Sequence, residues 1–150
     1  MELSASQIRR LILDEHTVLR DILEEIEQTL GEMTRRVPGS ITRLRTSLRT
    51  FHDAFVRHLE HEETVLRPVL VDVDAWGPAR VAAMDEEHLA QRTALAQLSH
   101  LALDQDLDGT VQHVEEFVRR LRADMDGEEH HALSEEVLRD DIIVIDTFMG

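Results

Sequence analysis

Four stretches of this chain place apolar residues at every third or fourth position over about six helical turns each. Every stretch breaks its own apolar stripe with a histidine or an acid. A side chain on such a stripe faces the core of whatever the chain folds into. The fold must therefore bury an ionisable group from each of four segments and give each a partner. Few arrangements satisfy that demand, and it is the strongest constraint the sequence carries.

The first stretch runs from about Ala5 to Leu30, with Ile8, Leu11, Ile12, Leu19, Ile22, Leu23 and Ile26 on its stripe and Ser4 placed to cap it. The segment from Gly31 to Gly39 breaks it, and Pro38-Gly39 signals a turn. Ser40 can cap the second stretch, which reaches about Arg67 and is ended by Pro68 and the segment from Val71 to Gly77. Pro78 suits the first position of the third, which extends to roughly Leu103. After a loop from Asp104 to Gly109, Thr110 can cap the fourth, which carries Val114, Phe117, Val118 and Leu121 and ends near Leu133. Long helices joined by short loops predict an all-α fold: an antiparallel up-down-up-down four-helix bundle over residues 1–135. Residues 136–150 form a short C-terminal extension whose run Ile142, Ile143, Val144 and Ile145 is β-branched. It is expected to pack on the bundle, or to make a homodimer contact through a strand.

Composition narrows the chemistry. A chain of 150 residues with 42% hydrophobic content can build one core, and only 3% aromatics favours helices over a sheet sandwich. There is no cysteine, so disulfides and thiolate metal sites are excluded and His, Asp and Glu are the strong ligands left. A net charge of −15 argues against nucleic-acid and anionic-lipid partners. With no apolar run of signal-peptide or membrane-spanning length, the expectation is a cytoplasmic protein with no membrane partner.

The residues that interrupt the stripes are His16 on the first stretch, His58 and Glu62 on the second, His88 on the third (with Asp85 one turn back), and Asp124 with Glu128 on the fourth. His58 and Glu62 stand four apart, as do Asp124 and Glu128, so each pair shares a face. If successive helices alternate in direction, all six lie about 14 to 22 residues from the same end of the bundle, within a couple of turns of one level. Neutral imidazole and ionised carboxylate are both metal ligands, so a cation satisfies the whole set at once. By spacing alone zinc, manganese or iron would serve.

The segment HLEHEETVLRPVL, with glutamate four residues after histidine and proline ten after, resembles the second helix of hemerythrin-like (HHE cation-binding) domains. The lone His16, the early His88 of the third stretch and the acidic pair of the fourth match that family's order, over about residues 8 to 133. The resemblance implies a four-helix bundle with a non-haem di-iron centre, which binds or senses dioxygen, nitric oxide or peroxide, or buffers iron. Two departures stand out. Asp124 occupies the place where the family usually has histidine, and Met84 and Arg92 flank His88 where some members have a second one. His131, three residues after Glu128, could replace the missing histidine. The set leans toward oxygen ligands, which favours higher-valent iron or manganese and weakens reversible dioxygen carriage.

The remaining polar residues read as surface. His61 and Glu63 lie off the seam on a solvated face; Glu24-Glu25 and Glu86-Glu87 likewise; His52, His100, His113 and His130 have no evident ligand role. Met84 and Met125 sit at core-like positions that could also line a small-ligand pocket, and Trp76 is expected to plug the end of the bundle. There is no phosphate loop, nucleophile elbow or HExxH. The expectation is thus a metal-binding or sensing protein rather than a turnover enzyme. A carboxylate-rich oxidative enzyme (ferroxidase or peroxidase) and a regulatory module with a decayed site are the alternatives.

Overall fold

Ser4 starts the first helix. Its hydroxyl accepts from Gln7 N–H at 3.2 Å, and the Gln7 side chain accepts from Ser4 N–H at 2.9 Å, so two otherwise orphaned donors are satisfied reciprocally. The helix that follows, α1 (Ala5–Thr34), runs a turn past Leu30, through Gly31. Met33 extends the stripe and is fully buried, and that packing outweighs the weak helix propensity of one glycine. The turn comes afterwards, where Arg36 and Gly39 take positive φ. Gly39, not Ser40, stands at the N-cap of α2 (Ser40–His61).

The computed structural model describes residues 2–101, 103 and 105–140; the expected tail or dimer strand at 142–145 lies outside them. Within this span Pro68 does not end the second rod. A π-helical segment, Glu62–Leu66, follows α2, and α3 (Arg67–Asp72) continues from it. Arg67 N–H donates to the Glu62 carbonyl five residues back. The widened turn places Pro68 at the start of a fresh helical run, where its missing N–H costs nothing. At the next corner, a Cβ on Gly77 would lie 2.3 Å from the Val71 carbonyl oxygen, so only glycine lets the chain turn this tightly. Helix α4 (Gly77–Ser99) stops a turn short of Leu103, and α5 (Leu107–His130) is capped by Asp106, whose carboxylate accepts from Gly109 N–H at 3.0 Å. Thr110, the expected cap, is buried in the first turn instead. Trp76 is 69% exposed and plugs nothing: it heads α4 at the outside of the corner.

The described residues thus form four helical rods, counting α2 to α3 as one, and no strand. No helix among them is long and apolar enough to cross a membrane. The core is split in two. One apolar cluster joins Leu19, Leu23, Ile26 and Leu30 of α1 to Phe51, Phe55 and Leu59 of α2, Leu95 of α4 and Phe117, Leu121 and Met125 of α5. A second joins Ala5, Ile8 and Ile12 to Leu66, Met84, Leu133 and Leu138. Asp140 accepts from Ser6 N–H and Oγ–H at 3.1 and 2.7 Å, tying residues just after α5 to the start of α1. Each rod passes from one cluster to the other at a polar residue: His16 lies between Ile12 and Leu19, His58 and Glu62 between Phe55 and Leu66, His88 between Met84 and Leu95, and Glu128 between Met125 and Leu133.

Phe51 anchors the larger cluster, stacking on Phe55 at 5.3 Å and meeting Phe117 edge-on at 5.7 Å. Phe51→Ala is expected to cost about 3–5 kcal/mol in a urea titration, as full truncation of a buried ring does; a loss under about 1 kcal/mol would contradict the packing described.

Candidate metal centre

Between the two apolar clusters, His16, His58, Glu62 and Glu128 each present one ligand-type atom, and these atoms all lie within 4.8 Å of one another. His16 is completely buried, and His58, Glu62 and His88 are 3%, 2% and 2% exposed. His58 Nε2 stands 2.6 Å from Glu62 Oε1, and His88 Nε2 approaches the same oxygen at 3.6 Å. The His16 and His58 rings are 4.9 Å apart. The carboxylates of Glu62 and Glu128 meet across this layer.

The outer nitrogen of each imidazole is held by an acid from another rod. His16 Nδ1–H donates to Glu129 at 2.6 Å, His58 Nδ1–H to Glu15 at 2.9 Å and His88 Nδ1–H to Glu63 at 2.8 Å. These acids are braced in turn. Glu129 pairs with Arg20 at 2.6 Å, Glu63 takes both arms of Arg92 at 2.6 and 2.9 Å, and Glu15 also pairs with His61. A carboxylate on Nδ1 fixes the ring and turns Nε2 inward as a lone-pair donor.

Beyond the His58–Glu62 contact, the inner atoms are not satisfied by one another. His16 Nε2, Glu62 Oε2, His88 Nε2 and Glu128 Oε1 are buried without a hydrogen-bond partner. His16 Nε2 and Glu128 Oε1 are 3.0 Å apart, but the angles are not those of a hydrogen bond. Bare buried acceptors of this kind are costly. A void of about 10 Å³ lies among His16, His58, Glu62 and Glu128, bounded also by Phe55, Glu87, Gln91, Leu121, Asp124 and Met125. It is about the size of a single water or ion. Imidazole nitrogens and carboxylate oxygens converging on a small void fit a cation chemically; the donor set is borderline to hard, with no sulfur.

The electrostatics without a cation carry the same mark. Burial would push the His58 imidazole down, but its hydrogen bonds to Glu15 and Glu62 and their charges outweigh that, and it is raised to about 9. Burial and the neighbouring Glu62 hold the Glu128 carboxyl well above the usual range, while for Glu62 the adjoining Glu128, His58 and His88 outweigh burial and hold its carboxyl well below it. Arg92 draws Glu63 down to about 2. Burial and the charges of Asp124 and Glu62 lift Glu87 to about 7.

Of the residues singled out by spacing, His16, His58, Glu62 and Glu128 come together, and His88 joins them through its bare Nε2. Asp124 stays at the margin: its carboxylate accepts from Gln91 Nε2–H at 3.2 Å and lines the void without entering the four-residue set. His131 is exposed at the C-cap of α5, because the helix ends there and its backbone leaves the α conformation. It does not take the missing histidine's place in that set. Asp85 is outside as well, paired with Arg67 at 2.9 Å.

The expectation of a solvated face fails for Glu63, His61 and Glu87. Glu63 braces His88, His61 shares Glu15 with His58, and Glu87 is half-buried against the void. The bracing acids had a signal in the sequence. Glu15, Glu63 and Glu129 each stand directly beside a ligand-type residue, His16, Glu62 and Glu128. One step along a helix turns the side chain by about 100°, toward the neighbouring rod, so each braces a histidine other than its own neighbour. In the π-helical segment Glu62 turns into the buried layer while Glu63 stays half-buried at its edge, against His88 and Arg92.

The family model described as the hemerythrin HHE cation binding domain matches residues 7–135. Comparison with curated proteins and with solved structures finds no match.

The raised His58 predicts how metal-free protein responds to pH. The folded state keeps this proton up to about pH 9, whereas the unfolded chain releases it near 6.5. The stabilisation is complete below 6.5 and is lost as pH rises through 9. Melting temperature should therefore fall between pH 7 and 10, and Glu15→Gln should flatten the fall. An equal slope in both proteins would remove the bracing role given to Glu15.

Proposed function

This chain belongs to the hemerythrin HHE cation-binding family, and from that premise we propose that it is a non-haem metal protein holding two iron ions. In this reading Glu62, Glu128, His16, His58 and His88 would hold the ions, and Asp124 stands at the edge of the set. Four buried ligand atoms left without any partner carry the reading, because only a cation relieves all of them together. Bound iron would supply an open coordination position for dioxygen, nitric oxide or peroxide. The chain's own contribution is to fix three imidazoles by their outer nitrogens, to hold two carboxylates face to face, and to seal the layer above and below with apolar side chains.

The same reading takes the rods as an antiparallel up-down-up-down bundle. Support comes from the order of crossing: along α1 and α4 the chain runs from the smaller apolar cluster to the larger, and along α2 and α5 the reverse. Binding or sensing is preferred to turnover. One observation favours an oxidative enzyme as the second reading: Glu62, Glu87, Asp124 and Glu128 all border the void, a supply of carboxylates that suits a higher-valent metal. Steady consumption of ferrous iron or peroxide over many cycles would select that reading, and a single stoichiometric event would reject it.

Protein loaded anaerobically with ferrous iron and desalted should retain the metal. It should also melt higher than the metal-free form, by an amount equivalent to about 2.7 kcal/mol when free metal is 100 times Kd. Glu62→Gln should abolish retention. Glu63→Gln, which leaves the inner set intact, should weaken it about ten- to hundred-fold. If elemental analysis and melting temperature are the same in wild type and Glu62→Gln, the metal function is wrong. Exposure of the loaded protein to nitric oxide or dioxygen should change its visible absorbance; no change with either would leave iron storage as the role.

A further inference from the structure

Ion pairs close the buried layer on three sides. His16 is backed by Glu129 and Arg20, His58 by Glu15 and His61, and His88 by Glu63 and Arg92. The fourth side, between α4 and α5, is built differently. These two rods touch far less than α1 and α2 do, and a cleft of about 390 Å³ runs between them. Ala83 and Met84 wall it on one side and Ala123 and Gly127 on the other, and Arg80, paired with Asp74 at 2.7 Å, and His131 also line it. Glu87, Asp124 and Glu128 line both this cleft and the inner void, so the two spaces meet at three shared carboxylates. Gln91 Nε2–H groups donate to Glu87 and Asp124 at 3.2 Å each, which holds this pair together at the junction. At the inner end Glu128 Oε1 is buried and bare.

Gly127 is the telling residue. It sits inside a regular helix, where glycine is the poorest choice after proline. Nothing crowds it: a Cβ built there meets no atom within 4 Å. Neither backbone geometry nor close packing calls for glycine, and a larger side chain would project into the open cleft.

We propose that the α4–α5 cleft is the loading port through which a divalent cation reaches the buried centre, with Asp124 and Glu87 as the receiving carboxylates and Gly127 as the residue that keeps the port open. The inference rests on the metal reading above and extends it. It also gives Asp124 a part: an acid at the margin of the ligand set, reachable from the cleft, hands the cation inward to Glu128. Carboxylate oxygens at the junction would replace part of the water shell of an arriving ion, and the ligand atoms of the void the rest.

A port controls rates and leaves the end state alone. Metal-free protein is mixed with cobalt(II) in a stopped-flow spectrophotometer, release is followed with excess chelator, and Kd is measured independently by equilibrium dialysis. In Gly127→Leu, and separately in Ala123→Leu, uptake and release should both slow about ten-fold or more, with Kd unchanged because it is their ratio. Gly127→Ala, adding one methyl, should load nearly as fast as wild type and melt no lower. Rates at the wild-type value in both leucine variants would overturn the port while leaving the metal site standing. A weakened Kd with normal uptake would also overturn it, by making this face part of the holding site. A wild-type chain that takes up no cobalt would remove the metal reading and the port together.

Discussion

Everything in this fold is arranged around the cost of removing three imidazoles and two carboxylates from water at one height of a helical core. Apolar residues above and below keep the layer dry, and dryness makes each unpaired nitrogen or oxygen expensive. The chain answers on the outside of the layer with protein groups, an acid for each histidine and a cation for most of those acids. On the inside it pairs His58 with Glu62 and leaves four other ligand atoms bare. This asymmetry of satisfied outer atoms and bare inner ones is what distinguishes a prepared metal site from a buried ion-pair network, in which both ends of each group would find protein partners.

The split core follows from the same constraint. An uninterrupted apolar seam along all four rods would be more stable, and the sequence gives it up at one level on every rod. Phe51, Phe55 and Phe117 concentrate packing in the larger cluster. The smaller one, where α1 begins, closes the other end with Leu133 and Leu138 folded back from beyond α5. The π-helical segment serves the layer as well. It holds Glu62 in the layer and Glu63 at its edge against His88, and it carries the second rod past Pro68 so that Leu66 and Leu70 still reach the core.

The bracing acids change how the polar surface of this protein should be understood. A net charge of −15 suggests a chain covered in solvated acids. Yet Glu15, Glu63 and Glu129 are committed to orienting histidines, and Glu87 and Asp124 flank the void. A substantial part of the acidity serves the centre, and it leaves α4 and α5 as the pair of rods where solvent comes nearest to the buried layer.

The four amphipathic stretches, the capping Ser4 and the residues that break each stripe were legible in the sequence. Helical periodicity is local: three or four residues fix which face a side chain occupies, so His16, His58, Glu62, His88 and Glu128 could be picked out by spacing alone, and their shared level followed from counting rise per residue. What periodicity could not supply was anything that depends on the distance between rods. Which acid meets which histidine and why Asp124 stands aside while Glu128 enters are set by a fraction of a turn in helix phase and by the spacing of neighbouring axes; His131 and Trp76 are exposed because helices end and begin there. The end of α1 and the passage through Pro68 belong with these, because there tertiary burial of Met33 and Leu66 overrode what glycine and proline dictate locally. Local pattern determined which groups must be buried; only packing between distant segments decided what each of them touches.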